Sequence, residues 1–327
     1  MLVHEASAKM CSRAEMVRAG WSSRALTTQV RDEKLHRIDR AWYIDTAAWN
    51  ALWPEERHIM RVVASHARRP EDSRMVYVLC SAAVLHGLPL TRVEPRRVHV
   101  AGTTGNGHVK AADPLIARHQ VAVPDADIVT IDGIRCTALA RTVADMIRFS
   151  SEETGIALLD AAIRKIAWHD DALTYDEEAA AAFGEQVRTR LPRGGRGVRR
   201  ARYLLSIGDG RAQSPGESIS RLYLLRLGFA PPRLQVPIAG PHGNRYFVDF
   251  GIDDAEAWGE FDGSGKYLDA SLRADDETAD QVVLEEKIRE DWIRGTTNRR
   301  FARWMSTHIS SAPALGRRLA AFSVTPR

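Results

Sequence analysis

Two short stretches decide the C-terminal fold of this chain: Tyr246-Phe-Val-Asp-Phe-Gly-Ile252 and Ala257-Trp-Gly-Glu-Phe261. Both combine aromatic and β-branched residues, and an Asp-rich turn separates them, so they predict two neighbouring strands. Side chains two residues apart on a strand share a face. We therefore expect Glu260 and Asp262 to point the same way, with their Cα atoms roughly 7 Å apart. Asp249, on the first strand, can project onto that face as well.

The three carboxylates predict a metal site. Negative groups gathered in this way repel one another and cost desolvation energy unless a cation lies between them. Hard oxygen ligands favour Mg²⁺ or Mn²⁺, so Asp249, Glu260 and Asp262 are the predicted ligands. The alternative for Asp249 is an edge-strand charge or a part of the solvated turn. Glu260 and Asp262 lie among large apolar residues, where acids are rarely placed without a partner.

A predicted helix that begins at Ser214 contributes a fourth carboxylate, Glu217. Ser214 can cap this helix, and Pro215 suits its first position. Its apolar face consists of Ile219, Leu222 and Tyr223. Ser214-x-x-Glu217 also has the form of a capping box, in which Glu217 returns a hydrogen bond to the backbone of Ser214. Both roles, metal ligand and cap, stay open for Glu217.

The order of a helix Glu, a strand Asp and a Glu-x-Asp on the next strand resembles the PD-(D/E)XK nuclease fold, a restriction-endonuclease-like α/β core. More narrowly, residues 213–306 are similar to a domain, related to very-short-patch-repair endonucleases, that occurs widely in actinobacterial proteins. The resemblance implies metal-dependent hydrolysis of phosphodiesters in DNA, with Asp249 and Glu260 holding Mg²⁺ or Mn²⁺ and with Asp262 and Glu217 as further ligands. The motifs that carry it are Ser-Pro-Gly-Glu-Ser (214–218), Leu-Gln-Val (234–236), Val-Asp-Phe (248–250), Gly-Glu-Phe-Asp-Gly (259–263), Lys266-Tyr267, the charged run 286–291 and Arg303-Trp304.

The chain departs from the family pattern at one position. The family has Glu-x-Lys on the second strand, and this chain has Asp262 in place of the lysine. The lysine of the family helps to orient or deprotonate the attacking water and stabilises the charged phosphorane. Lys266 or Lys287 is expected to supply that charge here.

Lys287 lies in a predicted amphipathic helix over residues 283–294 that ends at Gly295. The apolar residues that predict this helix recur every four positions and are Leu284, Ile288 and Trp292. Lys287 and Asp291 are spaced as an i,i+4 ion pair. A helix packed beside the strands can aim Lys287 at the carboxylates, and a solvated face of weak ion pairs is the alternative.

Composition excludes several classes of protein. The 327 residues predict two or three domains, and 44% hydrophobic with 27% charged residues is typical of a globular protein. No stretch approaches the ~20 apolar residues of a membrane helix, and residues 1–13 show no signal-peptide core. The three cysteines have neither zinc nor Cys-x-x-Cys spacing, which, with no export signal, predicts a cytoplasmic protein.

Charge distribution points to nucleic acid more clearly than the net charge of +4 does. Between Arg188 and Arg202 there are seven arginines and no acid, around a glycine-rich segment that predicts a domain boundary and then a short basic helix. A solvated linker is one interpretation. A phosphate-contacting arm is the other, since arginines bind backbone phosphates without reading sequence. Its candidate residues are Arg193, Arg196, Arg199 and Arg200.

The first 52 residues predict a winged helix-turn-helix. Ser12-Arg-Ala-Glu15 has capping-box form, Ser22 or Ser23 can cap a second helix, and residues 35–38 and 41–44 predict a small hairpin. In this arrangement the second helix enters the major groove. The segment also resembles the N-terminal domain of the abortive-infection type IV antitoxin family, and a domain for protein contacts is the alternative. The predicted DNA contacts are Arg24, Thr28 and Arg31, with Arg37 or Arg40 on phosphate.

These patterns predict an α/β protein, α+β overall. Its predicted segments are a winged helix-turn-helix (1–52), a mixed α+β connector (53–190), a basic linker and helix (191–212) and a PD-(D/E)XK nuclease-like domain (213–327). The expected function is that of a cytoplasmic DNA-binding protein with a Mg²⁺- or Mn²⁺-dependent endonuclease domain, in repair or defence, with a cognate toxin or a repair protein as partner and no membrane. The alternative is a non-catalytic regulator of antitoxin type that keeps the nuclease fold as scaffold.

Overall fold

The computed structural model describes residues 1–70, 73–102, 113–263 and 279–327, without the side chains of residues 242 and 279–283. The described residues form a mixed α/β structure, as predicted. The helices are α1 (Val3–Ala8), α2 (Arg13–Arg18), α3 (Ser23–Arg31), α4 (Thr46–Ala51), α5 (Pro54–Ala67), α6 (Cys80–Leu85), α7 (Leu139–Phe149), α8 (Glu152–Ala167), α9 (Glu177–Thr189), α10 (Val198–Ile207), α11 (Pro215–Arg226), α12 (Ala279–Thr297) and α13 (Ala312–Ala320). The strands are β1 (Cys11–Ser12), β2 (Leu35–Arg37), β3 (Trp42–Asp45), β4 (Val76–Tyr77), β5 (Val98–Ala101), β6 (Ile116–His119), β7 (Ile128–Ile131), β8 (Ile134–Thr137), β9 (Trp168–His169), β10 (Thr174–Tyr175), β11 (Arg233–Ala239), β12 (Arg245–Ile252), β13 (Ala257–Asp262) and β14 (Arg300–Met305). None of these helices combines the length and the apolar character needed to cross a membrane.

Contacts between residues divide the chain into two compact units, each made of two segments. Unit 1 consists of Met1–Ala162 and Ala181–Ile207, and unit 2 consists of Ile163–Ala180 and Gly208–Arg327. The chain therefore passes between the units at three places. The last of these falls after Ile207, at the end of α10. The finer division of residues 1–190 stays a prediction.

The N-terminal part of unit 1 has the predicted order of helices and hairpin, and its three strands pair antiparallel as β1-β3-β2. The capping box at Ser12 is confirmed, because its hydroxyl accepts from the Glu15 N–H at 3.1 Å and the Glu15 carboxylate accepts from the Ser12 N–H at 2.8 Å. Ser22 caps α3, since its hydroxyl accepts from the Ala25 N–H at 3.1 Å. The helix α1, which packs against α5, was not predicted from the sequence.

The rest of unit 1 surrounds a five-stranded mixed sheet in the order β6-β5-β4-β8-β7. The glycine-rich segment before α10 is held against α7 at one point. Gly197 has a φ of +75°, and a Cβ there would lie 2.1 Å from the carbonyl oxygen of Arg148. Only glycine fits this approach, so this part of the predicted linker is packed rather than free.

Unit 2 contains a four-stranded sheet in the order β11-β12-β13-β14. The first three strands pair antiparallel, and β13 pairs parallel with β14. The two strands predicted from the sequence are thus confirmed as β12 and β13. The predicted helix is confirmed as α11, with Ser214 as its N-cap and with Ile219, Leu222 and Tyr223 buried.

The sheet of unit 2 has apolar residues on both faces. Trp304 of β14 packs against Phe250 of β12 with ring centroids 5.3 Å apart, and its indole N–H donates to the hydroxyl of Ser220 on α11 at 2.8 Å. A second cluster joins the sheet to α12. Its buried members are Val236, Ile238, Val248, Trp258, Ile293 and Phe301.

The helix α12 extends beyond its predicted range of 283–294 at both ends. The prediction that it ends at Gly295 is wrong: it continues to Thr297, because a glycine inside a helix costs only about 1 kcal/mol and Ile293, at 0% exposure, anchors the last turns. The apolar stripe that predicts the helix also faces away from the sheet, since Leu284 and Ile288 are 57% and 54% exposed.

Candidate functional site

The carboxylate of Glu217 lies near the start of α11 and is almost fully buried, at 3% exposure. It accepts hydrogen bonds from the Gln213 N–H at 2.9 Å, from the Ser214 hydroxyl at 2.8 Å and from the Gln235 side-chain amide at 3.1 Å. Glu217 therefore accepts a hydrogen bond from a backbone N–H, as in a capping box, but the donor is Gln213 instead of Ser214. The third donor comes from β11, a different element of unit 2.

Asp249 of β12 shares that third donor. The Gln235 amide donates to Asp249 Oδ1 at 3.3 Å, and the Phe261 N–H donates to Asp249 Oδ2 at 2.8 Å. The β12–β13 ladder reaches the Phe250–Gly259 pair, so the Asp249 side chain takes the place of a backbone acceptor just beyond it. The helix Glu and the strand Asp predicted from the sequence are thus brought together.

Gln235 adopts an unusual backbone conformation at this point. Its φ is +48°, in the left-handed region that non-glycine residues rarely enter. Such a conformation costs about 1–3 kcal/mol and persists only where surrounding contacts impose it. The amide bonds to two carboxylates are the contacts that the structure provides here.

Glu260 has different partners. Its carboxylate is 7% exposed and is bound by two guanidinium groups: Arg289 of α12 donates to Oε1, and Arg303 of β14 donates to Oε2 at 3.0 Å. Arg303 also contacts Glu286 at 3.0 Å and Glu290 at 3.4 Å. Burial lowers the pKa of Arg303, but these three carboxylates outweigh it and raise the pKa above its usual value. Both oxygens of Glu260 are thus engaged in an ion-pair network.

The remaining predicted site residues are dispersed. Asp262 ends β13 and is half-buried, and Lys287 is exposed on α12. Lys266 lies outside the described residues. Within the described ranges, no group of three or more His, Cys, Asp or Glu side chains has a geometry suited to a metal ion.

Sequence reasoning missed three residues that organise this region. Gln235 carries a signal, because it occupies the centre of the Leu-Gln-Val motif, to which no role was given. Arg289 and Arg303 carry a weaker signal. Arg289 lies four residues before Ile293, which is buried, so Arg289 lies on the side of α12 that faces the sheet. Arg289 and Arg303 are 29 and 43 residues distant in sequence from their common partner Glu260, so no local pattern identifies the pairing.

The predicted phosphate-contacting arginines fall into two groups. Arg193, Arg196 and Arg199 are exposed. Arg200 is half-buried and donates to the carbonyl oxygen of Arg148 in α7. The first three therefore remain candidates for a DNA contact, whereas Arg200 also stabilises the packing of α10.

The predicted contacts of the N-terminal segment lie mostly on its surface. Arg24 and Arg31 of α3 are exposed and Thr28 is half-buried. Arg31 forms an exposed ion pair with Asp32 at 3.0 Å, which contributes little to stability. Arg37 and Arg40 are also exposed, and Arg37 donates to the backbone carbonyl of Asp39 at 2.9 Å.

No protein-family model matches this chain. It is 35% identical over 132 residues to two proteins of Mycobacterium tuberculosis: uncharacterized protein MT2308 of strain CDC 1551 / Oshkosh, and uncharacterized protein Rv2248 of strain ATCC 25618 / H37Rv. The matched region covers 40% of this chain and 44% of each relative, so the similarity spans less than half of either protein.

Proposed function

We propose that this is a DNA-binding protein whose unit 2 carries a PD-(D/E)XK-like endonuclease core that hydrolyses phosphodiesters with Mg²⁺ or Mn²⁺, in repair or in defence against foreign DNA. One observation carries the proposal: the Gln235 amide joins the carboxylates of Glu217 and Asp249. A helix Glu and a strand Asp side by side are the arrangement that the resemblance to this nuclease class implies. Unit 1 then supplies a winged helix-turn-helix for binding DNA.

The donor set of this pair suits a hard divalent cation. Glu217 and Asp249 offer carboxylate oxygens, the ligands that Mg²⁺ and Mn²⁺ prefer. Glu260 suits a cation less well, because Arg289 and Arg303 already neutralise it. We assign ion binding to Glu217 and Asp249, which the Gln235 amide holds side by side, with Asp262 as a further ligand. The bound ion supplies an activated water and neutralises charge on the phosphate.

The chain itself performs the positioning. Gln235 holds the two carboxylates at a fixed separation, and the Phe261 N–H orients Asp249. Arg193, Arg196 and Arg199 bind phosphates along the DNA and set its position without reading its sequence. The exposed side of α3 provides the sequence-dependent contacts.

Cleavage of supercoiled plasmid and of labelled oligonucleotides, with Mg²⁺ or Mn²⁺ and with EDTA, tests this function. The expected result is metal-dependent cleavage by the wild type that both Asp249→Ala and Glu217→Gln abolish. Thermal melting with and without each metal accompanies the assay, because an ion that binds only the folded state raises stability by about 2.7 kcal/mol at a hundredfold excess over Kd. A wild type that cleaves no substrate and whose melting ignores both metals at millimolar concentration contradicts the proposal.

A second candidate is favoured by the ion pairs of Glu260. If this acid serves only to join β13 to α12 and β14, the unit is a scaffold, and the protein is a non-catalytic regulator of antitoxin type that binds its own operator. Such a regulator needs no divalent ion. This second candidate predicts specific DNA binding in EDTA, which Asp249→Ala should leave unchanged. It also predicts no cleavage.

A further inference from the structure

The exposed side of α12 carries an apolar stripe. Leu284, Ile288 and Trp292 are 57%, 54% and 37% exposed, and their spacing of four residues aligns them along one side of the helix. The Trp292 indole N–H donates to the carbonyl oxygen of Ala239 at 2.9 Å, which fixes this ring in place. Gly295 lies on the same side and has open space where a side chain would stand. Another helix can therefore approach closely.

Single exposed apolar residues are ordinary on soluble proteins, whereas three in line on one helix form a contiguous apolar stripe, and contiguous apolar patches often mark interaction sites. The charges beside the stripe indicate its occupant. Lys287 and Asp291 are four residues apart, lie on one flank of the stripe and are both exposed. This flank thus carries one positive and one negative charge. When a second copy of the helix runs in the opposite direction, each charge faces the opposite charge of the other copy.

Antiparallel packing of two α12 helices uses this complementarity. With the two Ile288 side chains on a twofold axis, Leu284 of one copy lies opposite Trp292 of the other. The same flank of each helix then meets its equivalent. At a rise of 1.5 Å per residue, Lys287 lies about 3 Å along the axis from Asp291 of the other copy. Two ion pairs form across the axis, beside an apolar centre.

We propose that two copies of this chain associate through α12 in this antiparallel, twofold-symmetric arrangement. The proposal does not depend on nuclease activity. A C₂ contact uses the same surface on both copies and closes on itself, so it forms a dimer and no larger assembly. One helix pair buries less surface than a standard interface, so the expected dissociation constant is on the order of micromolar.

Sedimentation equilibrium of the full chain over a wide concentration range measures the association. Ile288→Glu should raise the dissociation constant by ~tenfold or more, since the buried centre of the contact acquires a charge. Val17→Glu is the matched control, because Val17 is 49% exposed on α2, and it should leave the constant unchanged. A wild type that is monomeric at all concentrations up to the millimolar range overturns the proposal, as does a dimer that Ile288→Glu leaves intact.

Charge exchange tests the antiparallel register. Lys287→Glu or Asp291→Lys alone places like charges together and should weaken the dimer, whereas the double variant Lys287→Glu/Asp291→Lys should restore it. In a Cys11→Ser background, Ile288→Cys should form a disulfide-linked dimer on mild oxidation, and Val17→Cys should not. Failure of the double variant to recover association, or of Ile288→Cys to cross-link, overturns the register.

Discussion

Glu217 and Asp249, on different elements of unit 2, share a single hydrogen-bond donor. The Gln235 amide lies 3.1 Å from a carboxylate oxygen of Glu217 and 3.3 Å from one of Asp249. Two negative groups thus rely on one neutral group for part of their stabilisation. Glu260 lies outside this relationship, and its carboxylate is paired with Arg289 and Arg303.

The shared donor gives the first prediction. Gln235→Leu removes both bonds and should lower the free energy of unfolding without metal by about 1–3 kcal/mol, because each carboxylate loses one of its hydrogen bonds. Denaturant unfolding in EDTA measures this change. Gln213→Leu is the control: only the backbone N–H of Gln213 contacts Glu217, so its side chain should be dispensable. Equal decreases in both variants contradict the role given to Gln235.

Glu260→Ala and Asp249→Ala should behave differently. Glu260→Ala leaves Arg289 and Arg303 without their common partner and should lower stability by about 1–3 kcal/mol in the presence or absence of metal. Asp249→Ala should instead abolish the stabilisation by Mg²⁺ or Mn²⁺. Melting of both variants with and without each ion distinguishes them. Loss of metal-dependent stabilisation in Glu260→Ala, with no loss of basal stability, would place the ion at Glu260.

The exposed arginines give a prediction for DNA binding. Replacing Arg193, Arg196 and Arg199 together by alanine should lower affinity for non-specific duplex DNA and reduce the slope of log K against log salt by roughly 0.9 for each phosphate that is no longer neutralised. Titrations at several salt concentrations measure the slope. Arg200→Ala is a contrasting variant, since it should reduce stability by removing the hydrogen bond to the Arg148 carbonyl. An unchanged slope in the triple variant means that these arginines only keep the segment solvated.

The N-terminal segment is best tested by point substitution. Deleting residues 1–50 also removes α1, which packs against α5. Loss of binding after this deletion would therefore not distinguish lost DNA contacts from lost packing. Arg24→Ala and Arg31→Ala alter only exposed side chains of α3 and should each weaken binding to a selected DNA sequence without lowering the melting temperature. Band-shift titration measures the affinity. Unchanged affinity in the double variant refutes DNA reading by α3.

A buried histidine gives a prediction for acid stability. The His58 Nδ1–H donates to the Pro95 carbonyl at 3.2 Å, which leaves Nε2 to accept from the Ser81 hydroxyl at 2.9 Å. Burial, with smaller contributions from His99 and Arg61, lowers the pKa of His58 to about 3. Burial likewise lowers the pKa of His99 to about 4.

The sign of the pH effect follows from these depressed values. Below an unfolded pKa of roughly 6.5 the unfolded chain takes up the protons first, so stability is complete above that pH and falls as the pH drops towards the folded values. Each histidine contributes a slope approaching about 1.4 kcal/mol per pH unit. The free energy of unfolding, measured between pH 7 and 4.5, should show this slope. His58→Gln should reduce the slope by the contribution of one histidine, about 1.4 kcal/mol per pH unit. Replacing the exposed His4 serves as the control.

The sequence predicted those features of the fold that local chemistry determines. Ser12, Ser22 and Ser214 cap their helices as expected, because an N-cap needs only a side-chain oxygen and the next turn of backbone. The strands β12 and β13 were also predicted, since their composition and the turn between them are local signals.

The site could be predicted only in part, because its contacts join residues distant in sequence. The pairing of Glu217 with Asp249 was anticipated from the resemblance, but the left-handed φ of Gln235 depends on contacts with two other elements. The side of α12 that faces the sheet could not be predicted for a similar reason. Three apolar residues that recur every four positions predict a helix, and only the position of the sheet decides which side of it is buried.

Because unit 2 is made of two segments, it cannot be separated from unit 1 by cutting the chain at one point. Residues 163–180 belong to unit 2 although 27 residues of unit 1, from Ala181 to Ile207, separate them from the remainder. A gene fusion at one junction near residue 207 would transfer the four-stranded sheet of unit 2 without β9 and β10. Tyr175, whose ring carries the Arg211 guanidinium at 4.0 Å, would be left behind. A single junction near residue 207 therefore divides unit 2, and an intact unit 2 requires both of its segments.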